Sequence, residues 1–240
     1  MQVYVILPAA GLGTRMSAPT HSASHVAPKQ FLELRGIPIL IHTLRAFAAV
    51  AAVRRIHVAV RANEMERVQA QIHEYALSDR VTVVAGGDTR QESVSAALQS
   101  LQAHNDDIVL VHDAVRPLID AATIERTIEA VAKHDAAIVG LPAIDTIKQV
   151  ERTADGAIIT STIPRERVVL AQTPQGFRCG LLRHIFREAE ADGFVGTDEA
   201  SLAERAGLPV AVVPGSARNF KITQPGDLEL AEFYLQHCNL

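Results

Sequence analysis

Val3-Tyr4-Val5-Ile6-Leu7 runs directly into Pro8-Ala9-Ala10-Gly11-Leu12-Gly13-Thr14-Arg15-Met16. The first five residues form an almost unbroken apolar run, β-branched or aromatic apart from Leu7. Such a run predicts a strand buried on both faces, the usual opening of a parallel sheet. The turn after it begins with residues that carry little or no side chain, so its backbone N–H groups can approach an anion closely. Its two glycines tolerate positive φ. Pro28-Lys29-Gln30 then adds a second fixed cation to Arg15. Strand, bare-backbone loop, Arg and Lys together describe a cradle for a phosphate chain. A tight βα turn with a surface Arg and Lys is the plainer alternative. The loop is not a dinucleotide fingerprint, because Met16 stands where the third glycine of G-x-G-x-x-G belongs. Nor is it a P-loop, which closes on G-K-[ST]. Arg15 and Lys29 are therefore expected at the reacting end of the phosphates.

The 240 residues are 48% hydrophobic and carry a net charge of −4. A chain of that size can form one large α/β domain burying roughly three quarters of its extended surface. The slightly acidic balance speaks against non-specific nucleic-acid binding, which needs a basic face. A site for a polyanion must then gather its cations locally. Cys179 and Cys238 are far apart and lack C-x-x-C spacing, which suits a reducing compartment, with a single bridge left open. Met1-Gln2 enters the first strand without the basic start of a signal peptide. No apolar run approaches a membrane span. The expectation is a cytoplasmic globular protein with neither nucleic acid nor membrane as partner.

Beyond the loop, residues 17–27 are small, polar and patternless; His21 and His25 lack the Cys or carboxylate that would complete a metal site. Helical spacing with Pro38 in the first turn predicts a helix over 38–50, then a strand at 56–60, a helix at 63–77 and a strand at 80–85. That strand ends in Gly86-Gly87-Asp88, and Thr89-x-x-Glu92 is a capping box that starts a helix with Ser93 in its first turn. In open α/β sheets ligands sit beyond the carboxyl ends of strands. This turn is therefore expected to share a ligand with the first loop, its backbone with Asp88 and Ser93 facing a nucleobase. Residues 108–111 form a strand whose end reads His112-Asp113-Ala114-Val115-Arg116-Pro117. A carboxylate there suits a Mg²⁺-associated role, and an Asp113–Arg116 pair capping the turn is the alternative.

A helix at 121–133 and a strand at 136–141 follow, and after Pro142 the alternation stops. Residues 145–150 and 157–162 flank Asp155-Gly156, which predicts a β-hairpin. An isolated hairpin is marginal in water. Ile147, Val150, Ile158 and Ile163 need a surface to cover, and the same hairpin of a second subunit would supply it. The chain then returns through 170–177 to a helix at 180–191. Thr197-Asp198-Glu199 opens a short helix by capping and dipole matching. Strands are expected at 210–213 and 219–222, and Pro225 starts a closing helix over 225–236.

Taken together, A-A-G-L-G-T-R-M, P-K-Q, G-G-D-T-R-Q-E-S-V, V-L-V-H-D-A-V-R-P, D-T-I-K, Q-T-P-Q-G-F, T-D-E-A and N-F-K-I-T-x-P-x-D-L resemble the 2-C-methyl-D-erythritol 4-phosphate cytidylyltransferase family. The segments run in the family's order from residue 3 to the end; H-D-A-V-R-P and P-K-Q are specific to it, whereas G-x-G-x-R-M is shared by sugar nucleotidyltransferases generally. One departure is the longer stretch between Met16 and Pro28. The resemblance implies an α/β fold: a single doubly wound Rossmann-like nucleotidyltransferase domain over 1–240. Its sheet would be mostly parallel, and a β-hairpin dimerisation arm would be inserted at about 143–172. It implies transfer of a cytidylyl group from CTP to 2-C-methyl-D-erythritol 4-phosphate in the non-mevalonate isoprenoid pathway, with Mg²⁺ or another divalent cation as cofactor and a homodimer through the arm.

By the same resemblance Ala9, Ala10, Gly11 and Gly13 would line the CTP phosphates and ribose, while Gly87, Asp88 and Ser93 would address cytosine and sugar. Arg15, Lys29 and Lys221 would be the catalytic cations. Asp113 would sit by Mg²⁺-CTP, directly or through water, and by the acceptor. Arg116, Thr146, Arg165 and Thr197 would contact the acceptor, with Thr146 and Arg165 borne on the arm. Two rivals stand beside this reading: a cytidylyltransferase for another sugar-alcohol phosphate such as ribitol 5-phosphate, and a nucleotide-binding regulatory domain without turnover.

Overall fold

Alternation along β1 (Val3–Pro8) sets the layers. Val3, Val5 and Leu7 enter one apolar cluster, and Tyr4 and Ile6 enter another on the opposite face. A strand feeding two cores needs helices on both sides, which is the doubly wound arrangement. A computed structural model describes residues 1–11 and 28–237. Gly13, Arg15, His21, His25, Cys238 and the whole 17–27 stretch lie outside the described residues.

After β1 come the short pair β2 (Glu33–Leu34) and β3 (Ile37–Pro38), helix α1 (Ile39–Ala48), strand β4 (Val53–Val60), helix α2 (Met65–Glu74) and strand β5 (Val81–Ala85). Then follow α3 (Arg90–Ser100), β6 (Ile108–Val111), α4 (Ala121–His134) and β7 (Ala136–Pro142). The hairpin is β8 (Ile147–Thr153) and β9 (Gly156–Ile163), antiparallel and paired with no other strand among the described residues. The chain ends with β10 (Val169–Arg178), α5 (Cys179–Ala191), α6 (Glu199–Arg205), β11 (Ala211–Pro214) and α7 (Pro225–His237). The central sheet has the order β11-β7-β10-β6-β1-β4-β5. Helices α1, α2 and α4 cover one face with Leu44, Phe47, Ile72 and Val131, while α3, α5 and α6 cover the other with Val94, Phe186 and Leu202.

Strand β1 pairs in parallel with both β4 and β6, so the order reverses there and a crevice opens past the carboxyl ends of β1 and β6. The Ala9–Gly11 turn and Asp113 emerge at that crevice.

Three expectations need correction. Residues 170–177 are no mere connection: they lie in β10, which runs antiparallel between β6 and β7. Its Gln172, Thr173 and Gln175 hide it from a search for apolar runs, yet all three are buried. Pro174, which cannot donate to a ladder, falls within the register shift between Ala171 and Gln175. Residues 219–222 form no strand. The backbone there is spent otherwise, with Asn219 O accepting from Arg116 at 2.7 Å and Ile222 N donating to Val115 O at 2.9 Å. Pro38 closes β3 and precedes α1 instead of sitting in its first turn.

Candidate active site

Two loops meet at the crevice because each lacks bulk where they touch. A Cβ at Gly86 would lie 2.9 Å from the Ala10 Cβ and 2.9 Å from Ser93 Oγ. The carbonyls of the first loop are already held: Gln30 Nε2 donates to Ala9 O at 2.7 Å and Arg61 Nε to Ala10 O at 2.9 Å. On the second loop Thr89 and Glu92 close both halves of the capping box. Glu92 Oε2 also accepts from Asp88 N at 2.8 Å. Ser93 Oγ donates to Thr89 O at 2.8 Å and accepts from Gly87 N at 3.2 Å. Ser93 thus shapes the turn on which Gly87 and Asp88 ride.

The crevice is a cleft of about 300 Å³. Ala9, Ala10, Gly11, Lys29, Asp88, Ser93, Asp113 and Lys221 line it. Eight of the residues expected from the sequence therefore converge, from five separate stretches of chain. Lys29 is 7% exposed and opens a 3₁₀ turn at Lys29–Phe31. Arg116 flanks the cleft through Asp113. Thr146 and Thr197 are exposed and not part of its lining. Arg165 is turned onto Ile144 O at 2.8 Å, also away from the lining.

Asp113 is buried and answers three cations. Lys221 Nζ lies 3.0 Å from Oδ2, Arg116 Nε 3.2 Å from the same oxygen, and Arg90 Nε 3.4 Å from Oδ1. Burial pushes its carboxyl up, but Lys221, Arg90 and Arg116 outweigh it and hold the group far below the usual carboxylate range. The Asp113–Arg116 pair considered as an alternative is therefore real, within a larger cluster.

The turn is braced from below. Asp113 N donates to Thr173 Oγ1 at 3.1 Å. The single hydroxyl proton of Thr173 then goes to His112 Nδ1 at 3.0 Å, which leaves His112 Nε2–H to donate to Arg116 O at 3.1 Å. Burial lowers His112 to about 4, in keeping with a neutral ring.

Sequence reasoning missed Arg90 and Glu199. Arg90 is the first residue of α3, where the helix dipole disfavours a cation. That misfit was the available signal. Its Nη1 and Nη2 donate to Glu199 Oε1 and Oε2 at 2.7 and 2.9 Å, and Glu199 is 1% exposed. Glu199 was read only as dipole matching for α6; it is a buried ion-pair partner as well.

Among the described residues, no three His, Cys, Asp or Glu come together to hold a metal ion. The cleft's carboxylates, Asp88 and Asp113, suit instead a divalent cation that arrives on a ligand's phosphates and needs only one or two protein carboxylates. No helix among the described residues is long and apolar enough to cross a membrane.

Residues 3–237 match the family model described as 2-C-methyl-D-erythritol 4-phosphate cytidylyltransferase. A protein of that name from Acidobacterium capsulatum is 72% identical over 236 residues, 98% of each chain. The crystal structure of the Francisella tularensis protein of the same name superposes with a TM-score of 0.80 at 35% identity, covering 97% of this chain and 99% of that one. The 4-diphosphocytidyl-2C-methyl-D-erythritol synthase of Anaerococcus prevotii gives a TM-score of 0.81 at 28% identity, covering 98% and 99%.

Proposed function

This chain belongs to the 2-C-methyl-D-erythritol 4-phosphate cytidylyltransferase family, and we propose that the cleft beyond β1 and β6 is where it transfers the cytidylyl group of CTP to 2-C-methyl-D-erythritol 4-phosphate. The products are 4-diphosphocytidyl-2-C-methyl-D-erythritol and pyrophosphate, a step of non-mevalonate isoprenoid synthesis. One observation carries the location: Lys29 and Lys221, far apart in the chain, line one cleft with the bare Ala9–Gly11 turn.

The nucleophile is a phosphate monoester whose second pKa is about 6, so it is largely a dianion at neutral pH. No general base is required. An acceptor phosphate oxygen forms the new bond to the α-phosphorus, and the bond to the bridging oxygen of pyrophosphate breaks. The task left to the protein is to bring two polyanions together and stabilise the charge that gathers at the α-phosphorus. Lys29, Lys221 and Arg15 take that role, and one such group can be worth roughly 10²–10³ in rate. Ala9, Ala10, Gly11 and Gly13 cradle the phosphates and ribose. Gly87 and Asp88 face cytosine, with Ser93 holding their turn. Asp113 and Arg116 stand toward the acceptor. A magnesium or other divalent cation would be held by the triphosphate and Asp113, directly or through water, and would supply charge neutralisation at the phosphates.

The acceptor side is completed by Thr197 and, in this reading, by Thr146 and Arg165 from the arm of a second copy. What supports a second copy is the hairpin itself. Val150, Ile158 and Ile159 are 48%, 62% and 60% exposed on a two-stranded sheet that pairs with nothing else among the described residues.

The test is pyrophosphate release with CTP, UTP or ATP against 2-C-methyl-D-erythritol 4-phosphate or ribitol 5-phosphate. Turnover with CTP and the methylerythritol acceptor alone is expected. Preference for ribitol 5-phosphate, or nucleotide binding without turnover, would reject the assignment.

A further inference from the structure

Arg90 is held by two carboxylates at different donors of its guanidinium. Its two Nη atoms face both oxygens of buried Glu199, and its Nε faces Oδ1 of Asp113. A guanidinium is flat and its donors are fixed in one plane, so the direction of one carboxylate constrains the other. Glu199 opens α6, two residues after Thr197. The neighbouring Gln91 fastens the start of the same segment, donating from Nε2 to Phe194 O at 3.1 Å and accepting from Gly196 N at 2.9 Å. Gln175 holds its far side, donating to Asp198 Oδ2 at 2.8 Å and accepting from Ala200 N at 2.9 Å.

We infer that Arg90, aligned by Glu199, is a positioning residue for the acceptor. It fixes the Thr197 segment and the Asp113 carboxylate relative to one another, so that the polyol phosphate finds both at a set spacing. Glu199 has a second task. Three cations compete for Asp113, and Glu199 takes up most of Arg90, leaving Oδ2 to Lys221 and Arg116. Without that carboxylate, Arg90 would turn fully onto Asp113 and loosen the segment from the cleft. The inference rests on the cytidylyl-transfer reading of the cleft.

The test uses Glu199→Gln, which keeps shape and removes charge, and Arg90→Lys, which keeps charge and removes the fork. In each, KM for 2-C-methyl-D-erythritol 4-phosphate is expected to rise about tenfold or more, because small misplacements of reacting groups are costly. KM for CTP should change less than about threefold, since the capping box of α3 is untouched. Glu199→Asp, which retains the charge on a shorter arm, should recover part of the loss. Unchanged KM values, an equal rise in both, or a lower melting temperature with normal kinetics would each overturn the assignment. Should Glu199→Gln fail to fold, Arg90→Lys reads the same split. A wild-type protein inactive with CTP and this acceptor would instead overturn the functional reading beneath it.

Discussion

The ammonium of Lys221 lies 3.0 Å from Oδ2 of Asp113, an oxygen that Arg116 Nε also reaches at 3.2 Å. The two partners differ in exposure: the side chain of Asp113 is 9% accessible and that of Lys221 is 39%. Removing the carboxylate leaves the Arg116 charge, 11% accessible, with the Asn219 carbonyl in place of an anion, whereas removing the ammonium leaves Asp113 with Arg90 and Arg116. Asp113→Asn is therefore expected to cost about 3 kcal/mol of stability, as for one broken half of a buried pair. Lys221→Met should cost less than about 1 kcal/mol. Urea unfolding of both variants checks the order, and a costlier Lys221→Met would contradict it. Both variants should lose kcat.

Lys29→Ala is expected to lower kcat far more than it weakens CTP binding, because the charge it meets grows toward the transition state. Arg15→Ala should behave alike. Calorimetric titration of CTP alongside steady-state kinetics separates the two effects. Abolished CTP binding with near-normal kcat at saturation would remove these residues from the catalytic set.

The arm makes a prediction about sharing. If Arg165 serves the partner's cleft, inactive Arg15→Ala and Arg165→Ala homodimers should regain activity when mixed under subunit exchange. Random exchange makes half the dimers mixed, and half of their sites carry neither lesion, so about one quarter of wild-type activity should return. An exchanging mixture that stays inactive places Arg165 in its own chain's cleft.

His57, buried on β4, donates from Nδ1 to Ser100 Oγ at 2.8 Å, since Ser100 spends its proton on Ala97 O at 2.7 Å. Burial, aided by nearby Arg55, lowers its pKa from 6.5 to about 4. Between those values the unfolded chain binds the extra proton and the folded one does not. The neutral ring's contribution is therefore fully present above pH 6.5 and is lost as pH falls toward 4, at up to about 1.4 kcal/mol per pH unit. His57→Gln should flatten this part of the stability profile in denaturant melts from pH 7 to 4.5. An unaltered slope would show that His57 does not set it.

Features written in neighbouring residues were legible in the sequence alone. The two-sided apolar run of β1, the Thr89–Glu92 capping box, the turn of the hairpin at Asp155-Gly156 and the Asp198 cap of α6 are each patterns of residues a few positions apart. Their spacing is therefore their signature. Ala9, Ala10, Gly11, Asp88 and Asp113 were legible too, because each follows the end of a strand, where a doubly wound sheet presents groups to a ligand. Tertiary structure alone decided the rest. Strand β10 looks polar, and it is tolerated mid-sheet only because His112, Asp198, Ser216 and Asn219 supply partners for Thr173, Gln175 and Gln172. Arg90 and Glu199 are separated by 109 residues, and either alone reads as a surface charge. A buried polar group is stable only if a partner meets it there, and local spacing carries no record of a partner brought in by the fold.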